Sequence, residues 1–212
     1  MKRHRLRAAA QIFRRHRRID TIVQVGIGRG EEIRTLVALY PRAKWVGFEP
    51  LPDFVRHWRF DASYPGMVVP AAVWDSVGEV AIYRRHGNLR ASSVYPRPDE
   101  ALPPVVVPTV TLDGFDSERS AFGRNILLWL DAEGAEQAAL RGAAGLFKSG
   151  RVRLVVSELA NSERLGWPDR EGTHRLLMEY GCHLVAIYGG GQNDADGVYV
   201  CQCQQGEMID AD

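Results

Sequence analysis

Two short stretches place residues that can do chemistry at the ends of apolar runs. In TIVQVGIGRG, residues 21–30, Gly26, Gly28 and Gly30 follow a run fit for a buried strand. Glycine adopts backbone angles that a β-carbon penalises, and it lets another group approach the main chain. In WVGFEP, residues 45–50, the next apolar run ends on Glu49. A strand, a tight glycine turn and a helix start form a common nucleotide-cofactor site. A carboxylate ending the adjacent strand can accept both hydroxyls of a ribose. The same pattern also serves as an ordinary β-to-α connection. Glu31 and Glu32 sit badly beside a pyrophosphate, because like charges repel. A cofactor with a ribose, no phosphates and a cationic sulfonium, S-adenosylmethionine, fits better.

A second acidic set lies in LLWLDAEGAEQAALRGAAGLF, residues 127–147. Asp131 ends a hydrophobic run, and Glu133 and Glu136 follow within a helical turn. Carboxylates at strand ends in an open α/β sheet face the ligand crevice. Negative charge also suits a helix N-terminus, an account that serves Glu136 better than Asp131. Glu158 ends a further run, RLVVSE, with Asn161 just beyond, and can face the same crevice.

Positioning these groups requires strands that alternate with helices. Strands are expected at 21–26, 44–49, 125–131, 152–158, 183–188 and 197–203. MVVPAAV, residues 67–73, reads as one irregular strand despite Pro70, and EVAIYRR after Gly78 as half of a hairpin. VVVPTVTLDGF reads as extended chain. Helical spacing of Ile33, Leu36, Val37 and Tyr40 marks a helix over 31–40, with Glu31 and Glu32 favoured at its start. Further helices are expected at 52–60, 134–148 and 169–180. The composition of 84–104 is that of a long exposed loop, often a lid or substrate surface. The pattern is that of one α/β domain over 20–212, with a mostly parallel sheet covered by helices on both faces.

The bulk numbers agree with such a domain. Of 212 residues, 45% are hydrophobic and 25% charged, and the formal net charge of +1 does not indicate a general nucleic-acid binder. Residues 1–19 are strongly basic, and Leu6, Ala9, Ile12 and Phe13 share one helical face, which reads as a packed N-terminal helix with a solvated basic side. No apolar stretch is long enough to span a bilayer, and the basic start lacks the apolar core of a secretion signal. Cys182, Cys201 and Cys203 have no zinc spacing; buried thiols in a reducing, cytoplasmic compartment are the expectation.

VQVGIGRGEE, WVGFEP, AAVWDSVGEVAIY, SSVY, VPTVTLDGF and LLWLDAEGAEQAALRGA, in that order, resemble the FkbM-type S-adenosylmethionine-dependent methyltransferases. The resemblance covers roughly residues 20–160. It implies a class I, Rossmann-like methyltransferase fold and usually O-methylation of a sugar or natural-product hydroxyl. Gly26, Gly28 and Gly30 would approach the methionine part of the cofactor, and Glu49 would hold the ribose. Ala72 and Val73, with Asp75 nearby, match the stretch lining the adenine pocket. Asp131 matches the acidic strand end near the methyl donor, and Glu133 the second acidic position. Trp129 stands where a lysine or similar residue is common, which implies different packing beneath that strand.

Methyl transfer is an in-line displacement, so the enzyme must align two groups and exclude water. An alcohol acceptor also has to lose its proton, and Asp131, Glu133, Glu158 and His174 are candidates to take it, with His86 a more remote one. The three carboxylates equally suit a divalent metal, which is possible but not favoured over proton acceptance. Arg84, Arg85, Arg90, Ser92, Ser93 and Asn161 could hold an anionic or sugar acceptor. The expected partner is a small molecule or carbohydrate, with no nucleic acid. The competing readings are a nicotinamide-dependent oxidoreductase and a non-catalytic cofactor-binding or interaction module.

Overall fold

Five short apolar runs pair side by side to build most of the central sheet. A computed structural model describes residues 10–16, 18–60, 64–96, 102–159, 170–189 and 195–202. The strands are β1 (Thr21–Val25), β2 (Lys44–Phe48), β3 (Met67–Val69), β7 (Ile126–Leu130) and β8 (Val152–Leu159). Two more, β9 (Cys182–Gly189) and β10 (Ala195–Cys201), complete a seven-stranded sheet of order β3-β2-β1-β7-β8-β10-β9. Neighbours from β3 to β8 run parallel, whereas β10 is antiparallel to both β8 and β9. The chain leaves β1 towards β2 on one side and reaches β7 on the other. The loops therefore diverge at the carboxyl ends of β1 and β7, where ligands bind in open α/β sheets.

Helices α1 (Ile33–Leu39), α2 (Pro52–Phe60), α3 (Leu112–Arg119), α4 (Glu136–Arg141), α5 (Ala144–Lys148) and α6 (Arg170–Glu179) connect the strands. Alternate residues of a strand face opposite sides. Val23, Val46, Leu128 and Leu130 accordingly belong to one core, and Ile22, Trp45, Leu127 and Trp129 to the other. Every residue of β7 is buried, as a strand covered on both faces requires. Each such large apolar side chain contributes roughly 1.5–3 kcal/mol on burial. Trp129 fills the second core beside Leu154 and Val156. Residues 10–15 are helical, with Phe13 fully buried and its carbonyl accepting the Tyr40 hydroxyl at 2.8 Å.

Several expectations change. MVVPAAV is not one strand: β3 ends before Pro70, and β4 (Ala72–Val73) joins a separate three-stranded sheet with β5 (Gly78–Ile82) and β6 (Val105–Val110). Proline removes a ladder donor, so the break falls there. The hairpin partner of β5 is β6, antiparallel to it. The extended reading of VVVPTVTLDGF fails after Val110, because Thr111 caps α3 by accepting the Gly114 N–H at 3.0 Å. The single helix over 134–148 is two helices, α4 and α5. A β-carbon on Gly142 between them would lie 2.0 Å from the Trp74 carbonyl oxygen, so the small sheet packs directly against that break. The segment after β5 is partly ordered by a bridge between Tyr83 and Ser93 and a 3-10 turn at Leu89–Ala91. Cys182 and Cys201, directly opposed on β9 and β10, form a disulfide in place of the expected free thiols. Cys203 lies outside the described residues.

Candidate active site

The glycine turn takes the conformation its sequence permits. Gly26, Gly28 and Gly30 have φ of 80°, 51° and 60°, in the region L side chains avoid. Gly26 is also forced by proximity: a β-carbon there would stand 2.0 Å from the Asp131 carbonyl oxygen. Glu49 at the end of β2 is 3% exposed. One of its oxygens accepts the N–H groups of Ile27 (3.2 Å) and Gly28 (2.9 Å), and the other that of Leu51 (2.9 Å). Burial raises its pKa and these three donors oppose the rise. The Trp58 indole donates to the Gly28 carbonyl at 2.9 Å, fixing the turn from α2.

Past β7 the chain makes a second tight turn. Glu133 has φ of 50°, rare for a residue with a β-carbon. Two groups hold it. The buried Glu136 carboxylate accepts the N–H groups of Ala132 (2.8 Å) and Gly134 (3.0 Å), the helix-start role expected of it. The Ser93 hydroxyl donates to the Glu133 carbonyl at 2.6 Å. Burial pushes the Glu136 carboxyl up to about 7.

Both turns open into one cleft enclosing about 1060 Å³ including its open mouth. Gly26, Gly28, Gly30, Glu49, Ala72, Val73, Asp131, Glu133 and Glu158 line it, as do Arg90, Ser92 and Ser93. Asp131, Glu133 and Glu158 each bring an oxygen within 4.8 Å of the others. Other residues named from the sequence lie elsewhere. Asp75 is exposed and pairs with Arg141 at 3.6 Å. The Arg84 guanidinium donates to the Pro103 carbonyl, and His86 is exposed. His174 on α6 has Nδ1 3.2 Å from the Tyr199 hydroxyl and does not line the cleft. The Ser92 hydroxyl accepts the Arg85 N–H at 3.3 Å. Asn161 lies outside the described residues.

Glu32 was expected, with Glu31, to favour a helix start and to disfavour a pyrophosphate at the glycine turn, and was not named among the site residues. It is 5% exposed, lines the cleft, and accepts a hydrogen bond from the Gln24 side-chain amide. Burial, then the nearby Asp131 charge, push its carboxyl up to about 7. The signal was present in the spacing: residues 32, 36 and 40 share one face of α1, and Leu36 and Tyr40 are buried. Nothing in the sequence announces the Ser93 contact, whose partner is 40 residues away.

The donor set suits S-adenosylmethionine. Bare main chain at Gly28 faces open space, Glu49 stands beside it, and carboxylates rather than cations surround the carboxyl end of β7. The sheet order, the switch point and this cleft define a class I, Rossmann-like methyltransferase. The chain belongs to the FkbM methyltransferase domain family, whose model matches residues 24–183. Among solved structures, the N-terminal domain of EvdMO1 with SAH bound is similar at TM-score 0.52 and 13% identity, over 96% of this chain and 83% of that one. Precorrin-6y C5,15-methyltransferase from Geobacter metallireducens GS-15 is similar at TM-score 0.50 and 10% identity, over 95% and 90%. The Methanococcus jannaschii fibrillarin pre-rRNA processing protein is similar at TM-score 0.52 and 10% identity, over 92% and 74%. These likenesses are of fold. No curated protein sequence matches the chain. Among the described residues, no helix is long and apolar enough to cross a membrane.

Proposed function

We propose that this methyltransferase transfers the methyl group of S-adenosylmethionine to a hydroxyl of a small molecule or carbohydrate. The carrying observation is the gathering of Asp131, Glu133 and Glu158 in the same cleft as the glycine turn. The bound cofactor supplies an electrophilic methyl carbon on a cationic sulfonium. The glycine turn and Glu49 hold its nucleoside and amino-acid parts, and Ala72 and Val73 offer an apolar wall to the adenine. Asp131, Glu133 and Glu158 are acceptors only, when ionised, so they can orient an acceptor hydroxyl and take its proton. They would favour a divalent cation too, but proton acceptance needs no further component. Ser92, Ser93 and Arg90 line the cleft from the segment after β5, which we assign to the acceptor.

Calorimetry with S-adenosylhomocysteine and with NAD tests the cofactor. We expect binding of the first and none of the second; the reverse overturns the reading. A screen of hydroxylated acceptors by mass spectrometry, with and without EDTA, then tests the acceptor class. Methylation confined to amines or carbon centres overturns O-methylation, and complete loss with EDTA overturns the metal-free account.

A further inference from the structure

The charge of this chain is unevenly divided. Residues 1–18 hold eight Lys and Arg and no Asp or Glu, so all 26 acidic residues lie beyond them, against 19 basic ones. The chemistry assigned above makes no use of that basic run. The fold sets its described part at the amino ends of the parallel strands, opposite the cleft. Phe13 is buried and its carbonyl accepts the hydroxyl of Tyr40 at the end of α1, and the Ile19 N–H returns to the His16 carbonyl just before β1. Arg14, Arg15 and Arg18 are exposed there. Burial, then the Arg153 charge, lower the pKa of His16, which places the run beside the start of β8 as well.

Further cations join from the neighbouring strand starts. Thr21, Lys44, Ile126 and Val152 begin β1, β2, β7 and β8 and lie in register. Lys44, Arg42 just before it and Arg124 just before β7 are exposed. Asp20 joins these starts: its carbonyl accepts the Lys44 N–H at 2.8 Å and its carboxylate the Arg124 N–H at 3.0 Å. That carboxylate also accepts the Thr21 hydroxyl and the Asn125 N–H, and Asp116 and Glu118 are paired with Arg151 and Arg119. Neighbouring strands lie about 4.8 Å apart, so four aligned starts make a face about 14 Å across.

We propose that this basic face docks the protein on an anionic lipid surface, with the cleft turned away from the membrane. What binds at the strand starts cannot be the acceptor, because the cleft lies at the other end of the sheet. A broad face of exposed guanidinium and ammonium groups matches a plane of lipid phosphates. Phe13 is committed to the core, so attachment there is electrostatic and not by insertion. Nucleic acid is a poorer match. Single strands stack their bases on aromatic side chains, and among the described residues the exposed large hydrophobic side chains are Val, Ile and Met.

Flotation of the whole chain with vesicles of equal parts phosphatidylcholine and phosphatidylglycerol tests the proposal, with pure phosphatidylcholine vesicles as the neutral surface. We expect binding to the first and none to the second. Binding should be lost between about 0.1 M and about 1 M salt, as the screening length falls from about 10 Å to about 3 Å. Arg14→Gln, Arg15→Gln and Arg18→Gln combined should weaken it about a hundredfold, at about fivefold per cation. Affinity for S-adenosylhomocysteine, read by calorimetry at the opposite end, should not change. Should that variant not fold, Arg42→Gln, Lys44→Gln and Arg124→Gln combined, on other elements of the same face, should give the same loss. Absent binding to the anionic vesicles, equal binding to both surfaces, or full binding by the folded variant overturns the proposal. Tighter binding of DNA or RNA than of the anionic vesicles at equal salt also overturns it and assigns the face to nucleic acid.

Discussion

The glycine turn and the segment around Ser93 line the same cleft, and they are held by different means. The turn is main chain clamped by main chain and one buried carboxylate: three positive φ angles, the Asp131 carbonyl against Gly26, and three N–H groups on Glu49. The Ser93 segment carries its own main-chain bridge to Tyr83, and side chains reaching across long stretches of sequence tie it to the rest of the cleft, with Ser93 on the Glu133 carbonyl and Arg90 on Glu31. A wall of clamped main chain is shaped before the ligand arrives and lowers the ordering cost of binding. A wall of side-chain contacts can change with little damage to the fold. The first suits the constant partner of the reaction, the cofactor, and the second suits the acceptor.

The largest test of this contrast lies within the glycine turn. Gly26→Ala drives a β-carbon into the Asp131 carbonyl oxygen, main chain that cannot swing aside, at φ of 80°. We expect a cost of about 4 kcal/mol or more, or a melting temperature lower by roughly 10 °C. Gly28→Ala meets nothing within 4 Å, so only the left-handed penalty applies, roughly 1–2 kcal/mol. Its β-carbon projects into open space, so its larger effect should be on S-adenosylhomocysteine affinity. Equal melting losses in the two variants would show that the clamp at Gly26 is not what shapes the turn.

Ser93→Ala moves to the other wall. It removes a 2.6 Å hydrogen bond and leaves the Glu133 carbonyl short of a donor at a residue with φ of 50°. Such a bond is worth about 1 kcal/mol, so melting should fall by roughly 2–4 °C. Affinity for S-adenosylhomocysteine should stay within about twofold, because the glycine turn is untouched. A loss of affinity as deep as that of Gly28→Ala would mean that the two walls act as one unit.

The same contrast explains what the sequence made legible. Gly26, Gly28, Gly30 and Glu49 stand in a local pattern, because a tight turn demands glycine and a strand end exposes a carboxylate to the crevice. The parallel sheet was legible for the same reason: β1, β2, β7 and β8 are apolar runs bounded by turn residues. The second wall depends on contacts between remote residues, and local pattern does not encode them. Pro70 diverts the chain into a second sheet whose partner strand, β6, begins at Val105. Thr111 starts a helix inside a run of β-branched residues that favours extended chain. The break between α4 and α5 sits where Gly142 meets the Trp74 carbonyl, a contact with the small sheet. The Cys182–Cys201 disulfide follows from the register of β9 on β10, which spacing alone does not give. Glu31 and Glu32 read alike as carboxylates at a helix start, and what separates them is that Glu32 shares the buried Leu36–Tyr40 face.

The smallest effect should come from Arg90→Ala. Its guanidinium pairs with Glu31 at 3.0 Å, joining the 3-10 turn after β5 to the start of the glycine-turn helix. The two side chains are 39% and 38% exposed, so water screens the pair and two long side chains lose freedom to make it. Such pairs contribute about 0.2–1 kcal/mol, and melting should change by no more than roughly 3 °C. Whatever difference remains should vanish near 1 M salt, where the screening length is about 3 Å. Removing Arg90 also leaves Glu31 uncompensated at the mouth. Melting of wild type and Arg90→Ala in low and high salt, each with and without S-adenosylhomocysteine, reads both consequences. A loss several times larger, persisting in high salt, would mean that Arg90 holds the second wall as firmly as Glu49 holds the first, and the division between a clamped wall and an adaptable one would fail.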